Sequence, residues 1–338
     1  MYANLWMQAT RSCSMGGRVA TASAGCSWPI VCVPGRGWRE RCAKRVRSPG
    51  SLHTIRIAPV GRPSIASCRI RDRRRAEGVP MLFTEAVFVG IDPTAGTKPM
   101  QLVALDRELR LVAMERDDLE SLLAIVASFE SAVVAVDAPQ GPNCGLMRRP
   151  EIRQRFNLRP GGRTWSGWRV CEYELRRRNI RLYNTPEEVE RAKPWVRMGF
   201  RLFGRLEELG FTAYRQGEDP KPRLMLEARA HAGYATLLER RPFLKHSFEG
   251  RMQRQLVLYL EGVDLPNPMQ ALEELTRHHL LTGHLPLEEL HTPEELDALM
   301  GAYTAYLVAA RPEGVCQVGK AEEGLITLPV AELKDFYA

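Results

Sequence analysis

Several things are missing from this 338-residue sequence, and each absence narrows the field. There is no apolar run approaching the roughly 18 residues that a membrane-crossing helix needs. The first 30 residues also lack the continuous apolar segment of a secretory signal. A cytoplasmic protein with no membrane partner is the expectation. Of the eight cysteines, no two are spaced C-x-x-C, and no histidine spacing completes a zinc site, which argues against a disulfide scaffold or a structural zinc. Acidic residues are almost absent from residues 1–80, which hold 15 Lys/Arg against 3 Asp/Glu, whereas the rest holds 33 against 37. The net charge of +8 therefore reports on the first 80 residues and not on a basic fold. That stretch also lacks any useful period of 3.6 or 2, is rich in Arg, Ser, Gly and Pro, and is expected to be a disordered basic leader. It reads as an organelle transit peptide, a nucleic-acid-binding arm, or translated sequence ahead of a start at Met81. The last is preferred, because Met81 stands six residues before the first apolar strand.

What is present starts with residues 87–96, VFVGIDPTAG. An apolar run ending in Asp and then Pro-Thr-Ala-Gly reads as a strand buried on both faces that stops at a turn, with Asp92 at its C-terminal end. Residues 132–139, AVVAVDAP, repeat the design and present Asp137. If the two strands are parallel neighbours, Asp92 and Asp137 leave the sheet at the same end. Two carboxylates that close repel, and the usual remedies are a shared proton or a bound divalent cation.

Between them, 101–105 and 109–114 read as two strands around the turn 106–108. Asp117 then caps a helix carrying Leu119, Leu122, Leu123, Val126 and Phe129. The order β-β-β-α-β makes the Asp137 strand parallel to its neighbour by the right-handed crossover rule. Residues 140–167 form a loop, followed by an amphipathic stretch at 168–178. From Arg148 to Arg181 there are 11 arginines against Glu151, Glu172 and Glu174, with Trp165 and Trp168 interleaved. Arg148, Arg149, Arg163, Trp165, Trp168, Arg169 and Arg176 are candidate nucleic-acid contacts, guanidinium groups on phosphates and indoles on bases. The plainer reading of the same run is a solvated helix face.

Residues 187–209 read as a helix split or kinked at Pro194. Residues 223–228, RLMLEA, form a further strand with Glu227 near its end, and 233–238, 250–261 and 269–281 read as a mostly helical insertion. Thr292-Pro293-Glu294-Glu295 is a capping box that starts a helix running to about residue 310. Asp297 lies beside its apolar stripe, among small residues that allow a close approach to the sheet; an acid so early in a helix also simply suits the macrodipole. Residues 325–329 read as a closing edge segment. His231, His246, His278, His279 and His284 have no metal-ligand spacing and read as surface or satisfied core residues, and Cys171 has no base nearby in sequence.

Taken together, G-I-D-P-T at 90–94, V-D-A-P at 136–139, R-x-C-E-x-x-L-R at 169–176, the strand ending at Glu227 and E-L-D-A-L at 295–299 are motifs by which the chain from 87 to 329 resembles a family of predicted nucleases, domain of unknown function 429. The resemblance implies an α/β, ribonuclease H-like fold: a mixed five-stranded sheet with helices on both faces over residues 81–338. It further implies that Asp92, Asp137 and Asp297 hold Mg²⁺ or Mn²⁺, with Asp92 bridging and Glu227 as a fourth catalytic acid orienting water or binding a second ion. Oxygen-only ligands suit such hard cations, and paired ions can promote phosphodiester hydrolysis. Nucleic acid, DNA or RNA, is then the partner. The alternative is an inactive nucleic-acid-binding or structural protein of the same fold. A phosphotransferase of the actin and sugar-kinase type needs a duplicated fold and a Gly-rich adenosine loop, and neither is present.

Overall fold

Residues 86–94, 98–219, 221–274 and 280–338 are described by a computed structural model; the expected disorder of residues 1–80 lies outside them. The strands are β1 (Val87–Asp92), β2 (Met100–Leu105), β3 (Leu111–Asp117), β4 (Ala132–Val136), β5 (Thr212–Ala213), β6 (Arg223–Ala228), β7 (Cys316–Lys320) and β8 (Gly324–Leu328). They form one mixed sheet of eight strands, ordered β3-β2-β1-β4-β6-β8-β7 with β5 beside β6. The expected five strands are thus exceeded. β5 is two residues long, and β7, Cys-Gln-Val-Gly-Lys, carries too little apolar signal to be read from pattern. Residues 324–328 do not close the edge but lie between β6 and β7. β1 pairs antiparallel with β2 and parallel with β4, and β4 pairs parallel with β6.

The helices are α1 (Leu119–Ser128), α2 (Pro150–Arg155), α3 (Val170–Arg177), α4 (Pro194–Glu208), α5 (Ala230–Leu238), α6 (Phe248–Leu260), α7 (Met269–Glu274), α8 (Leu280–Thr282) and α9 (Pro293–Ala310). Several boundaries differ from expectation, among them β3, which runs from 111 to 117 instead of 109 to 114, and α2, which lies inside the stretch 140–167 expected to be a loop. The cap of α1 is Asp118, whose carboxylate accepts from the Ser121 amide at 2.9 Å, while Asp117 ends β3. Pro194 begins α4 instead of kinking a longer helix, because a missing N–H is harmless in a first turn. No helix among the described residues is long and apolar enough to cross a membrane.

Side-chain parity then decides what each strand presents. Phe88 of β1 and Val133 and Ala135 of β4 pack into the core shared with α5, α6 and α9. Val89, Ile91, Val134 and Val136 pack into the opposite core with α1 and α4. Asp92 and Asp137 each follow a residue of the second face, so both turn to the first, where α9 lies. On β6 the order is reversed: Leu224, Leu226 and Ala228 take the first face and Met225 the second, which sends Glu227 to the second.

α9 lies unusually close to β1. A Cβ on Gly90 would fall 1.9 Å from the Ala298 carbonyl oxygen, and one on Gly301 would fall 3.2 Å from the Gly90 Cα. With no side chain at either position the helix backbone rests on the strand. The Thr292 capping box sets where it begins, with the Thr292 amide donating to Glu295 at 2.8 Å. Asp297, in the second turn, is thereby delivered to the end of β1.

Candidate active site

Asp92 and Asp137 end adjacent parallel strands in register, Ile91 beside Val136, and the Asp137 amide donates to the Ile91 carbonyl at 2.9 Å. Asp297 enters from α9. All three line one cleft of about 980 Å³, together with Glu294 and His231 and with basic and aromatic side chains on the walls. Into this group reaches a residue from the loop between α5 and α6: the Lys245 ammonium lies 2.7 Å from the Asp297 carboxylate.

The electrostatics are those of acids gathered against their own repulsion. Burial first, then the charges of Asp137 and Asp297, hold the Asp92 carboxyl well above its usual range, with Lys245 opposing. Asp137 is pushed up to about 6 by burial and by Asp297, with Arg229 and Lys245 pulling the other way. Burial works against the charge of Lys245, but Asp297, Asp92 and Asp137 more than offset it and raise its affinity for a proton. His231 is driven down to about 4, by burial and then by Arg254, so its imidazole is neutral at neutral pH.

These shifts bear on stability with a definite sign. The unfolded chain releases the Asp137 proton near 3.8 and the folded chain not until about 6. Over that window the folded state binds more protons, so stability falls as pH rises. The Asp137 side chain is 20% exposed, and solvent screening reduces the penalty at pH 8 to on the order of 1–2 kcal/mol. Asp137→Asn is therefore expected to exceed the parent by that amount in urea unfolding at pH 8 in EDTA, with the gap closing below about pH 4. A constant gap across pH would refute the assignment of the shift.

Glu227, expected to be a fourth catalytic acid, does not line this cleft. Its parity turns it to the other face of the sheet, where it is buried and held by the Arg169 guanidinium at 2.5 and 2.9 Å and by the Gln140 amide at 2.8 Å. The expectation that Arg169 grips a phosphate gives way with it. Arg169 is wholly buried and also donates to Glu172 at 3.1 Å.

The other candidate contacts divide. Trp168 and Arg176 line the cleft, with the Arg176 guanidinium 6.0 Å from the Trp168 ring centre. Trp165 packs against Trp168 and Tyr173. Arg148 pairs with Glu187 at 2.5 Å and Arg149 with Glu322 at 3.0 Å. Arg148, Arg149, Arg163 and Trp165 are all outside the cleft lining. Cys171 is buried, and burial pushes its thiol up, which suits a packing role.

Sequence reasoning missed Lys245, Arg229, Tyr183 and Trp195, and it read His231 as surface or core. Arg229 stands two residues after Glu227, 3.6 Å from it and 3.9 Å from Asp137, so a basic residue just past an acid-bearing strand was a usable signal. Lys245 lies in an irregular loop and offered none.

Three carboxylates without sulfur or imidazole are the donor chemistry of a hard cation. As they stand, no three Asp, Glu, His or Cys side chains among the described residues are grouped closely enough to hold an ion. Lys245 has one of the three carboxylates engaged, so holding an ion there requires Asp297 to turn from the ammonium. Compared with known proteins, the chain matches over residues 90–323 a family model described as "Protein of unknown function (DUF429)". No curated protein and no solved structure matches it.

Proposed function

The chain belongs to the DUF429 family, whose model covers more than two thirds of it, and on that footing we propose that it is a divalent-cation-dependent nuclease. The observation that carries the reading is the convergence of Asp92, Asp137 and Asp297 in a cleft whose walls are basic and aromatic. Acids and cations lining one cleft are what hydrolysis of a phosphodiester requires: a place for a hard cation, and positive charge for the flanking phosphates. The contiguous strands β3-β2-β1-β4-β6, with helices packed on both faces, support a ribonuclease H-like core extended by β8 and β7. A cytoplasmic setting is part of the same proposal.

Asp92, Asp137 and Asp297 are the residues that would hold Mg²⁺ or Mn²⁺, which when bound activates water and offsets phosphodiester charge. The chain's own residues do the rest. Arg176, Arg181, Arg241 and Lys98 line the cleft with no carboxylate partner among the described residues and are free to take phosphates. Arg229 stays beside Asp137 and limits its proton affinity. Lys245, were Asp297 to turn to an ion, would be left as a cation beside the site. Neutral His231 can accept or donate a hydrogen bond without adding charge.

One observation favours a binding protein without turnover, namely the Lys245 to Asp297 ion pair, which already neutralises one of the acids. A cleavage panel on labelled DNA and RNA, single-stranded, duplex and hairpin, separates the two. Cleavage that needs Mg²⁺ or Mn²⁺, stops in EDTA and is lost in Asp137→Asn is the expected result. Nucleic-acid binding with no cleavage under any ion would favour the inactive reading.

A further inference from the structure

The acids say what chemistry the cleft can do; its aromatic wall says what form of strand it takes. Tyr183 belongs to the irregular segment between α3 and α4, yet this segment is pinned. The Thr185 amide and hydroxyl both donate to the buried Glu172, Asn184 donates to the Gly167 carbonyl at 3.2 Å, and Pro186 accepts from the Asn143 amide at 3.2 Å. A tyrosine held on fixed backbone nevertheless keeps 63% of its surface exposed. The Lys193 ammonium stands 3.5 Å from its ring centre and covers one face, and the Trp195 ring meets it at 61° with centroids 6.4 Å apart. The exposed surface is what remains, on a ring that lines the same cleft as the three aspartates.

A lone exposed tyrosine is ordinary. This one is accompanied by guanidinium groups in search of anions. Arg181 precedes it by two residues, Arg176 rides on Trp168, and Arg241 lines the same cleft, each without a carboxylate partner among the described residues. A fixed aromatic face next to unpaired guanidinium groups recognises a flat ring and a phosphate offered together. In a duplex the faces of the bases are covered by their neighbours in the stack. Only an unpaired nucleotide presents both. We propose that this cleft takes single-stranded nucleic acid, with one base stacked on Tyr183 and its flanking phosphates on Arg176, Arg181 and Arg241. The inference rests on the nuclease reading for the identity of the anion.

The test is fluorescence anisotropy with the full chain and a short labelled oligonucleotide of mixed sequence, as DNA and as RNA, alone and annealed to its complement. It is run in EDTA and again in Ca²⁺. The single strand is expected to bind at least about tenfold more tightly than the duplex, and Tyr183→Leu to weaken it about five- to a hundredfold while Tyr183→Phe restores it. Duplex binding should be the same in all three proteins. Equal affinity for single strand and duplex overturns the proposal, as does an unchanged single-strand affinity in Tyr183→Leu, or no binding of either form in both conditions. Because the readout is binding, ion-dependent cleavage of duplex alone would remove this proposal and leave the nuclease, whereas tight single-strand binding with no cleavage would remove the nuclease and leave this.

Discussion

Replacing Asp92 by asparagine is expected to cost at least about a hundredfold in ion-dependent cleavage, and to yield a protein that unfolds at higher urea than the parent at pH 8. The first part follows from position. Asp92 ends β1 beside Asp137 and feels the charges of both Asp137 and Asp297, so it is one of the three carboxylates that would hold the ion. Removing even a partner that only orients a metal ligand costs about 10- to 100-fold, and losing one of the proposed ligands should cost no less. The second part follows from the same proximity with the opposite sign. With its proton affinity raised by burial and by two neighbouring acids, Asp92 as a carboxylate is a liability to the folded chain. Asparagine keeps its volume and removes its charge. Mn²⁺ titration by calorimetry completes the test: the parent should bind, and the variant should bind at least about tenfold more weakly. Lost cleavage accompanied by lost stability would mean that Asp92 is a structural acid, and the metal reading would fail.

The gathering of these acids was partly legible in the sequence, and the reason lies in the strands. Residues 87–92 and 132–137 are apolar until their last position, so an acid at that position has to sit at the sheet's end, whatever the rest of the fold does. The parallel pairing followed from a helix between them, and the Thr292 capping box located the start of α9. Glu227 illustrates what was hidden. A strand buried on both faces is apolar at every position, so its letters do not say which side chains share a face with a neighbouring strand. That depends on the pairing of Val136 with Glu227, a contact across 91 positions of chain. One residue of register separates an acid in the cleft from an acid behind it.

Which of the arginines reach the cleft was not legible for a related reason. A count of guanidinium groups between 148 and 181 reports charge, but burial sorts them. Arg153 is 1% exposed and spends its donors on the carbonyls of Arg159 and Thr164, at 2.6 and 3.0 Å. Arg169 lies wholly inside. Arg176 and Arg181 of that run do line the cleft, but so do Arg229, Arg241 and Lys245, which lie outside it, the last two in an irregular loop where no periodic pattern marked them.

Arg169 gives the largest expected effect on stability. Its guanidinium meets Glu227 at 2.5 and 2.9 Å and Glu172 at 3.1 Å, and also donates to the Glu323 carbonyl at 3.2 Å, with no solvent exposure on Arg169, Glu172 or Glu227. In Arg169→Met both carboxylates keep backbone donors, Gln140 for Glu227 and Thr185 for Glu172, but lose the charge that made burying them tolerable. Arg229, at 3.6 Å from Glu227, compensates only in part. Breaking a buried pair from one side costs about 3–5 kcal/mol, because the remaining charge has nowhere to go. The expected result is a loss of that size in urea unfolding at pH 7. Adding Glu227→Gln should recover at least about 1 kcal/mol, since removing the stranded charge is cheaper than keeping it. The competing idea, that Arg169 binds the phosphate backbone, expects the reverse: normal stability and weakened oligonucleotide binding. A stable Arg169→Met protein with a binding defect would refute the buried-pair account and restore Arg169 as a candidate phosphate contact.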